Sequence, residues 1–101
     1  MSVANRDKIL EEVKRIVFSC LQNTEAVVYL FGSWARKQER PTSDIDIAVS
    51  YTSCLPDGTL TRLRLELEES TIPYRVEIVD LTYSDEQFRN KVKEEGIKWN
   101  V

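Results

Sequence analysis

The chain of 101 residues contains no histidine, which removes imidazole acid–base catalysis and the commonest zinc ligand. Only two cysteines occur, Cys20 and Cys54, in no metal-ligand spacing. Free thiols in a reducing cytosol are therefore expected in place of a disulfide scaffold. Three glycines and three prolines are too few for collagen or a low-complexity segment. No apolar run approaches the roughly 20 residues of a membrane span. The start MSVANRDKILEE also lacks the apolar stretch of a signal peptide. A cytoplasmic protein without membrane contact is expected. There is no long basic run either: 14 Lys and Arg stand against 17 Asp and Glu, for a formal charge of −3. Direct nucleic-acid binding is accordingly not expected.

What is present is an ordinary globular composition, 42% hydrophobic and 31% charged, with length for a single domain over 1–101. From Asn5 to Asn23, apolar residues recur at Ile9, Leu10, Val13, Ile16, Val17, Cys20 and Leu21, the spacing of a helix with one buried stripe. The run from Ala26 to Phe31 reads as a strand buried on both faces and stopped by Gly32. Ser33 to Glu39 reads as a short helix ending before Pro41. Asp44 to Val49 forms a second strand whose period of two sets Asp44, Asp46 and Ala48 on one face and Ile45, Ile47 and Val49 on the other. Leu60 to Glu69 fits either a strand or a helix. The good helix formers Leu, Arg and Glu, and the lack of β-branched residues after Arg62, favour helix. Tyr74 to Val79 reads as a third strand. A last helix is expected from Ser84, which has capping-box spacing to Gln87, to a C-cap at Gly96. The order α-β-α-β-α-β-α gives an α+β class, one small sheet with helices packed against it.

Chemistry concentrates where Gly32-Ser33 closes one strand and, ten residues later, Asp44-Ile45-Asp46 opens the next. A strand-to-helix turn offers unpaired N–H groups to an anion, and glycine lets a phosphate reach the backbone. Ser33 adds a hydroxyl donor, and Arg36, one turn on, a charge-assisted one. Asp44 and Asp46 project from the same strand face, close enough at their tips to share hard cations such as Mg²⁺.

Gly32-Ser33 followed by Asp44-Ile45-Asp46, within FGSWARKQERPTSDIDIAV, resembles the signature of the DNA polymerase beta-like nucleotidyltransferases, specifically the minimal nucleotidyltransferases of prokaryotes. The similarity extends to the closing stretch YRVEIVDLTYSDEQFRNKVKEEGIKW. The resemblance implies the nucleotidyltransferase fold with a small mixed sheet, ATP or another nucleoside triphosphate as substrate, and two Mg²⁺ ions, with Mn²⁺ as a substitute. It implies that Gly32 and Ser33 hold the β and γ phosphates, that Asp44 and Asp46 ligate the metals, and that Glu77 is the third carboxylate. It also implies a HEPN-domain partner, oligomeric assembly, transfer of AMP to a partner hydroxyl, and an antitoxin role. The alternatives are a binding subunit that neutralises the partner by contact and, lower, an aminoglycoside-type transferase.

Two positions depart from the family pattern, which usually has Asp where Glu77 stands and Gly where Lys37 stands. The extra methylene of Glu77 shifts its carboxylate by about 1.5 Å, one C–C bond length. Lys37, in an expected helix, costs no propensity. Asp80 is a fallback ligand if the third strand ends or bulges first. Trp34 and Trp99 read as packing residues, with nucleotide or partner contact as the second reading for Trp34. The charged residues from Lys91 to Lys98 read as a solvated helix face. Leu60, Leu63, Leu65 and Leu67 exceed one narrow buried stripe, which leaves core or interface open.

Overall fold

The computed structural model describes residues 3–99. Helix α1 (Val3–Cys20) is followed by strand β1 (Val27–Phe31), strand β2 (Ile45–Ser50), helix α2 (Thr59–Glu68), strand β3 (Val76–Asp80), a 3₁₀ turn (Leu81–Tyr83), helix α3 (Glu86–Glu95) and strand β4 (Ile97–Trp99). The strands form one mixed sheet in the order β3-β2-β1-β4. β1 lies antiparallel to both β2 and β4, while β2 and β3 run parallel. A parallel pair needs a crossover, and α2 supplies it.

The apolar stripe of α1 and the buried Leu63 and Leu67 of α2 cover one face of the sheet. Ile45, Ile47 and Val49 are fully buried beneath them, as the alternation of β2 requires. The opposite face is closed over part of its area, where Ala48, Leu81 and Val92 form a second buried cluster flanked by Tyr29, Phe31 and Phe88. The aspartate face of β2 is therefore capped by α3 beyond Asp46 and open before it. Among the four leucines, Leu63 and Leu67 are buried, Leu60 packs against the core and Leu65 alone is 51% exposed. Trp34 and Trp99 are both buried, in agreement with a packing role. Both cysteines are free thiols. No described helix is long and apolar enough to cross a membrane.

The α+β class and the small mixed sheet agree with the sequence reading, but three local expectations need correction. Ser33 to Glu39 is not a helix. Its one turn is closed by Ala35 and Arg36 N–H groups donating to the Gly32 carbonyl, and Lys37 ends it with a left-handed φ of 57°. Lys37 thus occupies a conformation suited to glycine, so the absence of any local cost inferred from a helical setting does not hold. The last helix begins at Glu86, with Asp85 as N-cap accepting from Phe88 N–H at 2.9 Å, so no Ser84–Gln87 capping box forms. Ser84 lies before the helix and its hydroxyl donates to the Asp80 carbonyl. Finally, Ile97–Trp99 adds a fourth strand, paired with Leu30 to Val28 of β1.

Candidate active site

β1 ends at Phe31, and Gly32 continues the chain with φ +75°. This left-handed residue turns the chain away from the sheet, which a side chain would resist. Trp34 inserts into the core next to the turn, with its indole N–H directed at the Ser43 carbonyl and its ring edge-on to Tyr74. From α1, the Arg6 guanidinium binds the Glu39 carboxylate at 2.9 Å and the Trp34 carbonyl. The turn is thus pinned from inside by an aromatic ring and from outside by an ion pair.

The register of the sheet then sets the carboxylates. Phe31 pairs with Asp46 across the antiparallel β1–β2 ladder, and Asp46 pairs with Glu77 across the parallel β2–β3 ladder. Paired residues on adjacent strands project from the same face, about 4.8 Å apart along the sheet. Asp44 immediately precedes β2, where Ile45 N–H donates to the Arg75 carbonyl at 2.9 Å and anchors the strand start. Asp46 and Glu77 are brought side by side, and Asp44 stands close enough to act on Asp46 electrostatically.

Burial pushes the Asp46 carboxyl above its ordinary range, the negative charges of Glu77 and Asp44 push it further, and Arg36 pulls it back. A carboxylate held beside two others is a group that a cation would relieve. Their oxygens are the hard donors that Mg²⁺ or Mn²⁺ prefers, so the residues fit such ions in chemistry. Among the described residues, however, no three acidic or thiol side chains are already gathered as a ligand cluster. Asp80 is committed elsewhere: it accepts from Tyr51 Oη at 2.7 Å and from Thr82 N–H at the 3₁₀ turn.

Gly32 also touches this row. A Cβ built on it would meet Asp46 Oδ2 at 2.3 Å, so the missing side chain leaves the space in which the carboxylate sits. Arg36 is exposed and lines a pocket of about 190 Å³ together with Gly32, Phe31 and the α3 residues Phe88, Lys91 and Glu95. Lys91 is exposed, as a solvated helix face requires, and it also lines this pocket beside the glycine turn. The i, i+3, i+4, i+7 spacing of Phe88, Lys91, Val92 and Glu95 is the sequence signal for that shared helix face. On the other side, a larger groove of about 480 Å³ opens along β3 next to Glu77, lined in part by Arg64, Tyr74 and Arg75.

The family described as "Polymerase beta, Nucleotidyltransferase" matches residues 11–98, which take in the turn, the carboxylate row and α3. The chain belongs to the polymerase beta nucleotidyltransferase family. Among family relatives, the "Probable protein adenylyltransferase MntA" of Haemophilus influenzae is 30% identical over 87 residues, spanning 84% of this chain and 76% of that protein. A crystal structure of a toxin-antitoxin with AMP-PNP shares this nucleotidyltransferase fold at a TM-score of 0.70 and 26% identity, covering 90% of this chain and 73% of the other. A mutant of the toxin-antitoxin MntA-HpeT gives a TM-score of 0.70 at 25% identity, over 91% and 72% of the two chains. A further structure, of a tri-AMPylated Shewanella oneidensis HEPN toxin in complex with MNT antitoxin, shares the fold at 20% identity and a TM-score of 0.66, over 95% and 73%.

Proposed function

We propose that this nucleotidyltransferase transfers AMP from ATP to a hydroxyl of a HEPN-domain partner protein in the cytoplasm and thereby acts as an antitoxin. The observation that carries the reading is the row Phe31, Asp46 and Glu77 across three strands, with Gly32 against the Asp46 carboxylate. The similarity to a relative named for protein adenylylation and to a toxin-antitoxin that holds AMP-PNP supports the nucleotide and the partner.

In this reading the Gly32–Ser33 turn gives backbone N–H groups and a hydroxyl to the β and γ phosphates, and Arg36 adds a cationic donor. Asp44, Asp46 and Glu77 would together hold the Mg²⁺ ions. Those ions, when bound, neutralise charge on the α-phosphate and leaving pyrophosphate and acidify the attacking hydroxyl. The acceptor hydroxyl gives up its proton to solvent, its oxygen forms a bond to the α-phosphorus, the bond from that phosphorus to the bridging oxygen of the β-phosphate breaks, and pyrophosphate leaves. The groove along β3 gives the acceptor segment a route to the Glu77 side of the row.

Co-expression with a HEPN-domain protein, followed by intact-mass measurement of that partner, tests the proposal. A mass gain of one or more AMP groups is expected, lost with Asp44→Asn and Asp46→Asn together. An unmodified but neutralised partner would support the second reading, a subunit that acts by contact. That reading draws on Glu77 standing where the family has aspartate and on the lack of a pre-gathered ligand cluster among the described residues.

A further inference from the structure

The pocket between the glycine turn and α3 carries two cations, Arg36, whose charge reaches Asp46, and Lys91, on which the carboxylate row makes no claim. Arg36 and Lys91 both line it and both are exposed, and neither forms an ion pair among the described residues. The chain has a net charge of −3, whereas Arg36 and Lys91 outnumber Glu95 on the lining of this small pocket, a local reversal of sign. Lys91 is also held on a fixed support. The Phe88 ring meets Phe31 edge-on at 5.6 Å between centroids, and Val92 is buried against the sheet. These contacts on either side of Lys91 in the α3 stripe lock the helix over β1. Phe31, Phe88 and Val92 give the pocket an apolar floor beneath the two cations.

The direction of the site is set by the sheet. Glu77 on β3, Asp46 on β2 and Gly32 at the end of β1 follow one another across adjacent strands, and the Arg36–Lys91 pocket lies on the Gly32 side. We infer that Lys91, together with Arg36, binds the terminal phosphates of the nucleotide, the part that leaves as pyrophosphate. This inference rests on the transferase reading above and extends its phosphate site from β1 onto α3. A lysine serves as a mobile point charge for phosphate, and Arg36 as the directional donor beside it. Glu95, one turn beyond Lys91 in the same pocket, opposes an anion and sets an upper limit on retention of the leaving group. Lys91 would thus touch substrate through the phosphates that AMP transfer releases, and not through the transferred group.

Calorimetry with ATP, pyrophosphate and AMP in the presence of Mg²⁺ tests this on the wild type, Lys91→Ala, Lys91→Arg and Glu95→Gln. Lys91→Ala is expected to weaken ATP and pyrophosphate about tenfold or more, the loss of one charge-assisted contact, and to leave AMP unchanged. Lys91→Arg should retain most of the affinity, and Glu95→Gln should tighten pyrophosphate. Unchanged melting of Lys91→Ala, expected for an exposed side chain, shows that the fold is retained. Wild-type affinity for ATP in Lys91→Ala would overturn this inference alone and leave the transferase reading standing. Equal weakening of AMP would overturn it in favour of a nucleoside pocket. A wild type that binds neither ATP nor pyrophosphate would overturn both.

Discussion

Gly32 and Asp46 share one space: the position that a Cβ of residue 32 would take lies 2.3 Å from Asp46 Oδ2. Two demands meet at this glycine, a φ of +75° and the close approach of a carboxylate. Gly32→Ala is therefore expected to cost about 1–2 kcal/mol for the left-handed backbone and to swing Asp46 out of line with Glu77. Chemical denaturation would report the stability loss. Calorimetry should show Mg²⁺-dependent ATP binding falling by more than that loss explains, since the folded fraction remains high.

Lys37 makes the opposite case. It holds a φ of 57° at the end of the turn, where a side chain is strained and nothing in the pocket requires one. Lys37→Gly relieves about 1–2 kcal/mol of strain. The change adds unfolded-chain entropy worth about 0.4–1 kcal/mol in the other direction. A net gain of up to about 1.6 kcal/mol is expected, read as a higher urea midpoint with an unchanged slope.

The turn also depends on a clamp from α1. Arg6 and Glu39 are both largely shielded, with side chains 18% and 21% exposed, and Glu39 Oε1 is buried with no hydrogen-bond partner. Removing Arg6 would leave that carboxylate unpaired and free the Trp34 carbonyl. Arg6→Ala should destabilise the protein by about 2 kcal/mol, less than a fully buried pair because water still reaches both groups. Hydrogen exchange should rise first in residues 33–39, and a uniform rise across the chain would contradict a local clamp.

Asp46 gives a pH dependence whose sign follows from its raised pKa. The folded protein binds the Asp46 proton more tightly than the unfolded chain does. Its contribution is thus favourable below the ordinary carboxylate range and is lost as pH rises through the raised value. Asp46→Asn should accordingly stabilise the metal-free protein at neutral pH and have little effect in acid. Thermal melts across that range check it, and a loss of stability at neutral pH would make the carboxylate a structural group.

The parts legible in the sequence are those whose signals are local and repeated. The α1 stripe spans five turns, and the alternation in β2 puts Ile45, Ile47 and Val49 in the core whichever strands lie beside them. β4 has three residues, Ile97, Lys98 and Trp99, and takes its identity from Leu30 and Val28, more than sixty positions earlier. No local pattern announces such a strand. The false helix at Ser33 to Glu39 has a similar origin: its residues suit a helix, but Trp34 is drawn into the core and the chain must turn at Lys37 to reach β2. For the site, the Asp44 and Asp46 face and the Gly32 turn follow from spacing. Placing Glu77 beside Asp46 needs the parallel register, and Lys91 comes to the pocket through the packing of Phe88 on Phe31 and of Val92 on the sheet.

Glu77 separates transfer from simple contact. It is exposed beside Asp46, on the edge strand, with the β3 groove at its flank. Glu77→Gln keeps its length and hydrogen-bonding reach but removes the charge a metal needs. If Glu77 acts in transfer, this change should cut AMP addition to the partner by on the order of a hundredfold, comparable to the effect of misplacing a reacting group by 1 Å. Glu77→Asp should retain activity or raise it, since it restores the residue the family usually carries. Neither change should alter melting appreciably, because an exposed edge position loses no packing. If the protein acted by contact alone, partner neutralisation would survive both changes with no AMP on the partner before or after. Intact-mass analysis and a growth-rescue assay on the same three proteins distinguish the outcomes, because transfer predicts that mass gain and rescue fall together in Glu77→Gln.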